Sequence, residues 1–139
     1  MPCLSGRFDP NIGPIINIVV LPAGTLSPSL SGQINANAFP ALIDTGATST
    51  CISQSVVQAI NLQPIGMRPM ISATHSVPTN LYLVDLLLPF GAAGYAIANT
   101  QVMEFVLQGG GPFQILVGRD IICRGALTLS FDGHFTFSL

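Results

Sequence analysis

Apolar and polar positions change places in short bursts along this chain, and turn-forming residues interrupt them every eight to twelve positions. The interruptions fall at Asp9-Pro10, Gly13-Pro14, Pro22-Ala23-Gly24, Pro28, Ser31-Gly32, Pro40, Pro64, Pro78, Pro89, Gly109-Gly110-Gly111-Pro112 and Asp132-Gly133. Between them the runs are β-branched or alternating. This predicts strands over 15–21, 32–38, 41–43, 81–88, 96–107, 114–117, 126–131 and 134–139. Two stretches have helical spacing instead. Ser53 or Ser55 is placed to cap a helix over 56–60, and Asp120 to cap one over 121–124 that Gly125 would close in the left-handed conformation. The pattern predicts an all-β domain spanning 1–139, with one or two short helices and 22–31 as a loose surface loop.

Composition narrows the function classes. Of 139 residues, 49% are apolar and only 7% charged, with no tryptophan and no lysine. A mean hydropathy of +0.61 raises the question of a membrane protein. Eleven prolines and fourteen glycines answer it, because they leave no unbroken run of the roughly 18 to 20 apolar residues that a spanning helix needs. The first residues lack the basic start, apolar run and cleavage site of a secretory signal, so a cytoplasmic location is expected. Four isolated arginines and a net charge of −2 offer no stripe for phosphates, so neither nucleic acid nor a membrane is expected as a partner. Cys3, Cys51 and Cys123 fit neither a disulfide framework nor a zinc site and read as buried or idle thiols; no metal and no cofactor is expected.

Between Asp9 and Arg68 the chain holds one charged residue, Asp44. A lone acid among apolar neighbours needs a physical reason. It ends an apolar run, Phe39-Pro40-Ala41-Leu42-Ile43, and opens the polar turn Asp44-Thr45-Gly46-Ala47-Thr48-Ser49. Threonine can lock such a turn with its hydroxyl, and glycine lets the backbone approach a carboxylate closely. Some seventy residues later, Ile115-Leu116-Val117-Gly118-Arg119-Asp120 runs a second apolar strand into glycine and then into the capped helix.

Taken together, in an all-β chain of this length, the two motifs resemble the retroviral-type aspartic proteases (retropepsins), from about Ile15 to Leu139. The resemblance implies a single-lobe closed barrel with a β-hairpin flap, and a homodimeric endopeptidase acting on polypeptides. Two carboxyls at close range can share one proton, so that one takes a proton from water while the other gives one to the peptide carbonyl. This chain has a single Asp-Thr-Gly, since Asp120-Ile121-Ile122 and Asp132-Gly133-His134 lack its threonine and glycine, so a second copy must bring the other aspartate.

By resemblance Asp44 is catalytic, Thr45 clamps the two active-site loops across the dimer axis, and Gly46 offers its carbonyl to the substrate. Ala47 and Thr48 follow in the substrate-binding turn. Pepsin-like enzymes usually carry serine where Ala47 stands; without that hydroxyl donor the pair is expected to work at milder acidity. The flap is expected over 68–83, with Ser72, Ala73, Thr74, His75 and Ser76 at its tip. Phe113, Gln114 and Leu116 fall where the family has pocket walls. In retroviral enzymes the arginine matching Arg119 pairs with an aspartate; Thr48 stands there, so Arg119 needs a backbone carbonyl, Glu104 or solvent instead. The alternating C-terminal run 134–139 is expected as an edge strand for the intersubunit sheet. A competing reading keeps the fold as a dimerisation or peptide-binding module with little or no proteolysis.

Overall fold

The computed structural model describes residues 2–25, 38–71, 74–92, 94–106 and 110–139. In chain order the elements are β1 (Cys3–Arg7), β2 (Ile15–Pro22), β3 (Ala38–Ile43), β4 (Cys51–Ser53), α1 (Gln54–Ala59), β5 (Gly66–Ile71), β6 (Ser76–Leu88), β7 (Tyr95–Phe105), β8 (Ile115–Val117), α2 (Arg119–Ile122), β9 (Ala126–Leu129) and β10 (His134–Ser138). The expected strand over 32–38 lies outside the described residues except for Ala38, which opens β3.

Strands β2, β3, β8, β4, β7 and β6 follow one another by hydrogen bonding, and β6 pairs back onto β2, so the sheet closes into a barrel. Closure gives each of these six strands a bonded neighbour on either side. Inward positions alternate along each strand: Ile16, Ile18 and Val20 on β2, Ala41 and Ile43 on β3, Ile115 and Val117 on β8. Helix α1 adds Val56 and Val57 to this core, each worth about 1.5–3 kcal/mol when fully buried. Its first turn is capped by the Ser53 hydroxyl, which accepts from the amide of Val56 at 3.3 Å, one of the two caps expected.

The barrel bends at one buried charge. Val84 and Leu86 of β6 pair with Thr100 and Ile97 of β7, so Asp85 faces two residues, Ala98 and Asn99. Asn99 takes a positive φ of 53°. Asp85 is 1% exposed, and its carboxylate accepts the amide of Asn99 at 2.9 Å. It also accepts the amides of Gly24 and Thr25 at 2.9 and 3.0 Å, fixing the turn after β2.

Outside the barrel, β5 pairs among the described residues only with β6, forming the hairpin expected as a flap. Strand β6 begins five residues before the expected start, because its first part is held by β5 and not by burial. A second sheet runs β1-β10-β9 and packs Phe135 and Phe137 inward, where Phe137 meets Phe90 at 5.5 Å between ring centroids. This corrects the expected edge: β10 is the central strand, bonded to β1 on one side and β9 on the other. The chain's own first residues fill the side that a partner was expected to take. No helix among the described residues is long and apolar enough to cross a membrane.

Candidate active site

The Asp-Thr-Gly turn hangs from the ends of two parallel neighbours, β3 and β8, whose registers align Ile43 with Val117. The amide of Asp44 continues that ladder by donating to the carbonyl of Val117 at 3.0 Å. The turn then closes on itself: Ala47 donates its amide to the Asp44 carbonyl at 3.2 Å, and Gly46 donates to Asp44 Oδ1 at 2.9 Å. A Cβ on residue 46 would sit 3.2 Å from that oxygen, tighter than ordinary contact. Asp44 is half-buried, while Thr45, Gly46 and Thr48 are exposed, so the carboxyl is held by backbone yet open to solvent.

The second motif braces the first. Arg119 donates from Nη1 to the Thr45 carbonyl at 2.8 Å and from Nη2 to Thr48 Oγ1 at 3.1 Å. Its backbone amide donates to the Ala47 carbonyl at 2.9 Å. Arg119 therefore uses a backbone carbonyl, one of the partners expected, together with the threonine hydroxyl that replaces an ion-pair acid. Glu104 is engaged elsewhere, accepting from Asn80 Nδ2 at 3.1 Å and from the Tyr82 hydroxyl at 3.3 Å. Burial, with the Glu104 charge beside it, raises the Tyr82 phenol above its ordinary value.

Two expectations about α2 need correction. Gly118, not Asp120, occupies the cap position, and no side chain caps the helix. The Asp120 carboxylate instead accepts the Thr50 hydroxyl at 2.8 Å and the Thr50 amide at 3.0 Å, and Thr50 Oγ1 accepts the Gly118 amide at 3.1 Å. Seventy residues separate these partners, so no local pattern announces them. Gly125 does not take a left-handed conformation. It is glycine because a Cβ there would lie 1.8 Å from the Ser138 carbonyl oxygen. Gly118 is under the same constraint, its missing Cβ leaving room for the Ser49 carbonyl carbon at 2.5 Å.

The remaining expected site residues are dispersed. Ser72 and Ala73 lie outside the described residues; Thr74, His75 and Ser76 are exposed at the β5–β6 turn, with Thr74 Oγ1 2.7 Å from His75 Nδ1. Phe113, Gln114 and Leu116 are half-buried along the approach to Gly118. Gln114 bonds to Pro40 and Ser53 through its backbone, and Leu116 sits beside Leu42 and Cys51 in the sheet. Cys51 is buried and its thiol is pushed up to about 11 by burial and then by the Asp120 and Asp44 charges, which makes it a poor nucleophile. Of the thiols expected to be buried or idle, Cys51 is buried and Cys3 and Cys123 are exposed. Ser130, Asp132 and His134 cluster in the β9–β10 turn, but Asp132 binds both others, a turn lock with no histidine between acid and serine. Among the described residues no group of three His, Cys, Asp or Glu is placed to hold a metal ion.

Comparison with known proteins agrees with this geometry. The solved structure of a retropepsin-like aspartic protease from Rickettsia conorii is similar with a TM-score of 0.65 at 12% identity, covering 97% of this chain and 89% of that one. The EIAV protease, in complex with the inhibitor HBY-793, is similar with a TM-score of 0.59 at 14% identity, covering 86% and 93%. At such identities the likeness shows the retropepsin-like fold alone. No curated protein sequence matches the chain. A family described as "gag-polyprotein putative aspartyl protease" matches residues 30–124, more than half of the chain and inclusive of both motifs. On that match and that fold, the chain belongs to the gag-polyprotein aspartyl protease family.

Proposed function

We propose that the chain is a homodimeric aspartic endopeptidase whose catalytic pair is Asp44 from each of two copies. The observation that carries this reading is the half-buried Asp44 carboxyl, fixed by the Gly46 amide and braced through Arg119 while remaining open to solvent. One carboxyl cannot both take and give a proton in the same step, and this chain carries one Asp-Thr-Gly. With two copies facing across a two-fold axis, one Asp44 takes a proton from water, and the water oxygen bonds to the peptide carbonyl carbon. The partner's Asp44 gives a proton to the carbonyl oxygen. Collapse of the tetrahedral species then breaks the C–N bond, with a proton passing to the leaving nitrogen. Thr45 clamps the two loops, Gly46 to Thr48 hold the substrate backbone, and the β5–β6 hairpin covers it.

The test is cleavage of a denatured protein mixture by the wild type and by Asp44→Asn, with and without a statine-type inhibitor. Cleavage should fall at least about a thousandfold in the variant and be blocked by the inhibitor. Cleavage that persists in Asp44→Asn overturns the proposal, and a folded dimer without cleavage favours the peptide-binding reading. Since Ala47 brings no side-chain donor to Asp44, the rate should peak above about pH 3.

A further inference from the structure

Alternation along β6 lets the inner face of the barrel be followed out onto the β5–β6 hairpin. Tyr82, Val84, Leu86 and Leu88 belong to the core, so Asn80, Pro78 and Ser76, at successive two-residue steps outward, share their face. The register sets Met67 against Asn80, Pro69 against Pro78 and Ile71 against Ser76, which puts these three β5 residues on it too. Met67, Pro69, Ser76 and Pro78, together with Arg68, line an open groove of about 230 Å³. Its floor is apolar: two prolines stand opposite each other, and Met67 is 62% exposed. Alternation sends the Arg68 side chain to the other face of the hairpin, beside Thr79.

The groove leads to a carboxylate at its inner end. Glu104, two residues after the core residue Val102 on β7, is half-buried, and Asn80 Nδ2 and the Tyr82 hydroxyl both donate to its Oε2. Among the described residues no donor reaches Oε1, and the one ion pair is Asp132 with His134, so Glu104 has no counter-charge. Two donors fix its direction without neutralising it. The sheet ties it to the Asp44 turn: Ile52 of β4 lies between Glu104 and Ile115, and Ile115 aligns with Ala41, three residues before Asp44. With strands ~4.8 Å apart and ~3.4 Å of rise per residue, the two backbones lie about 18 Å apart, which about five residues of extended substrate would span.

We infer that Glu104 gives the proposed endopeptidase a preference for lysine or arginine within about five residues of the cut bond, the stem lying on Met67, Pro69 and Pro78 and the cationic head on Glu104 Oε1. The inference rests on the proteolytic reading, in which the β5–β6 hairpin covers the substrate. A long basic side chain has an apolar stem and a charged tip, the two parts that the groove accommodates in that order. A purely apolar side chain leaves Oε1 without a donor, a neutral polar one leaves the charge uncompensated, and an acidic one brings a like charge to a half-buried carboxylate.

The experiment offers decapeptide mixtures, with lysine, norleucine or glutamate fixed at one position in turn, to wild type, Glu104→Gln and Met67→Lys. At the best position the lysine set should be cleaved at least about tenfold faster than the norleucine set, its uncharged near-isostere, and the gap should narrow as salt is raised. Glu104→Gln keeps an oxygen for Asn80 and Tyr82 and should bring that ratio to within about twofold of one. Met67→Lys places a like charge on the groove floor at an exposed position and should also lower the ratio. A Glu104 that only braced the hairpin would slow all three sets alike and leave the ratio unchanged, which overturns the inference. If Glu104→Gln does not fold, as checked by circular dichroism, Met67→Lys decides. Binding of the same sets to Asp44→Asn, read by fluorescence anisotropy, separates the inference from the reading beneath it. A lysine preference in binding, with no cleavage by wild type, upholds the inference and overturns the proteolytic reading. Cleavage with no lysine preference does the reverse.

Discussion

Three carboxylates of this chain show how differently one group can be used. Asp44 is held by one short backbone bond and left open; Asp120 is spent on Thr50; Asp85 is buried and accepts from Asn99, Gly24 and Thr25. The last of these has no part in the proposed chemistry and a large part in the barrel. Asp85→Ala should cost about 3 kcal/mol, because three backbone amides lose the buried carboxylate that accepts from them, and Asp85→Asn should cost less; urea unfolding measures both. The thiols give a second prediction. A thiol reagent near pH 8 should modify exposed Cys3 and Cys123 and spare Cys51. Raised from 9.0 to about 11, Cys51 keeps its proton longer folded than unfolded, so stability should fall as pH rises through that window. At this scale the sequence disclosed Asp44 well, since a single charge in an apolar stretch is visible without coordinates. It did not disclose the Thr50–Asp120 contact, which only folding brings together.

At the scale of elements, legibility followed burial. Strands with an inward face, such as β2 and β7, were found close to their observed bounds from alternation alone. Strand β4 escaped because three residues carry no period, and β1 because Ser5 and Gly6 blunt its pattern. Strand β5 is exposed along nearly its whole length, so it was placed by resemblance to a flap and not by hydrophobic pattern. The role assigned to β10 failed for a related reason: a C-terminal run looks like a free edge until its neighbours are known. Where strand meets helix, Gly118 is the critical joint. Gly118→Ala would drive a methyl into the Ser49 backbone and should destabilise the fold by about 3 kcal/mol, with loss of any Asp44-dependent activity, as read from denaturation midpoints and cleavage together.

For the whole molecule, closure of the barrel separates a rigid part from a pliable one. Amide exchange should be slowest at Ile18, Ile52 and Val102, each inaccessible within the closed sheet, and fastest in β5, bonded to β6 alone; equal protection of β5 and the barrel would contradict this division. The all-β class was legible because turn signals recur at strand spacing, and the closed barrel was expected from the resemblance, while the two-sheet arrangement depends on pairings between chain ends that no local window contains. The single Asp-Thr-Gly carries a last consequence. With the catalytic pair proposed to come from two copies, the number of assembled centres in a dilute population follows the square of abundance: halving the supply of chain leaves a quarter of them. Crowding many copies into one place would then switch catalysis on, and dispersing them would switch it off, with no inhibitor, modification or change in shape required.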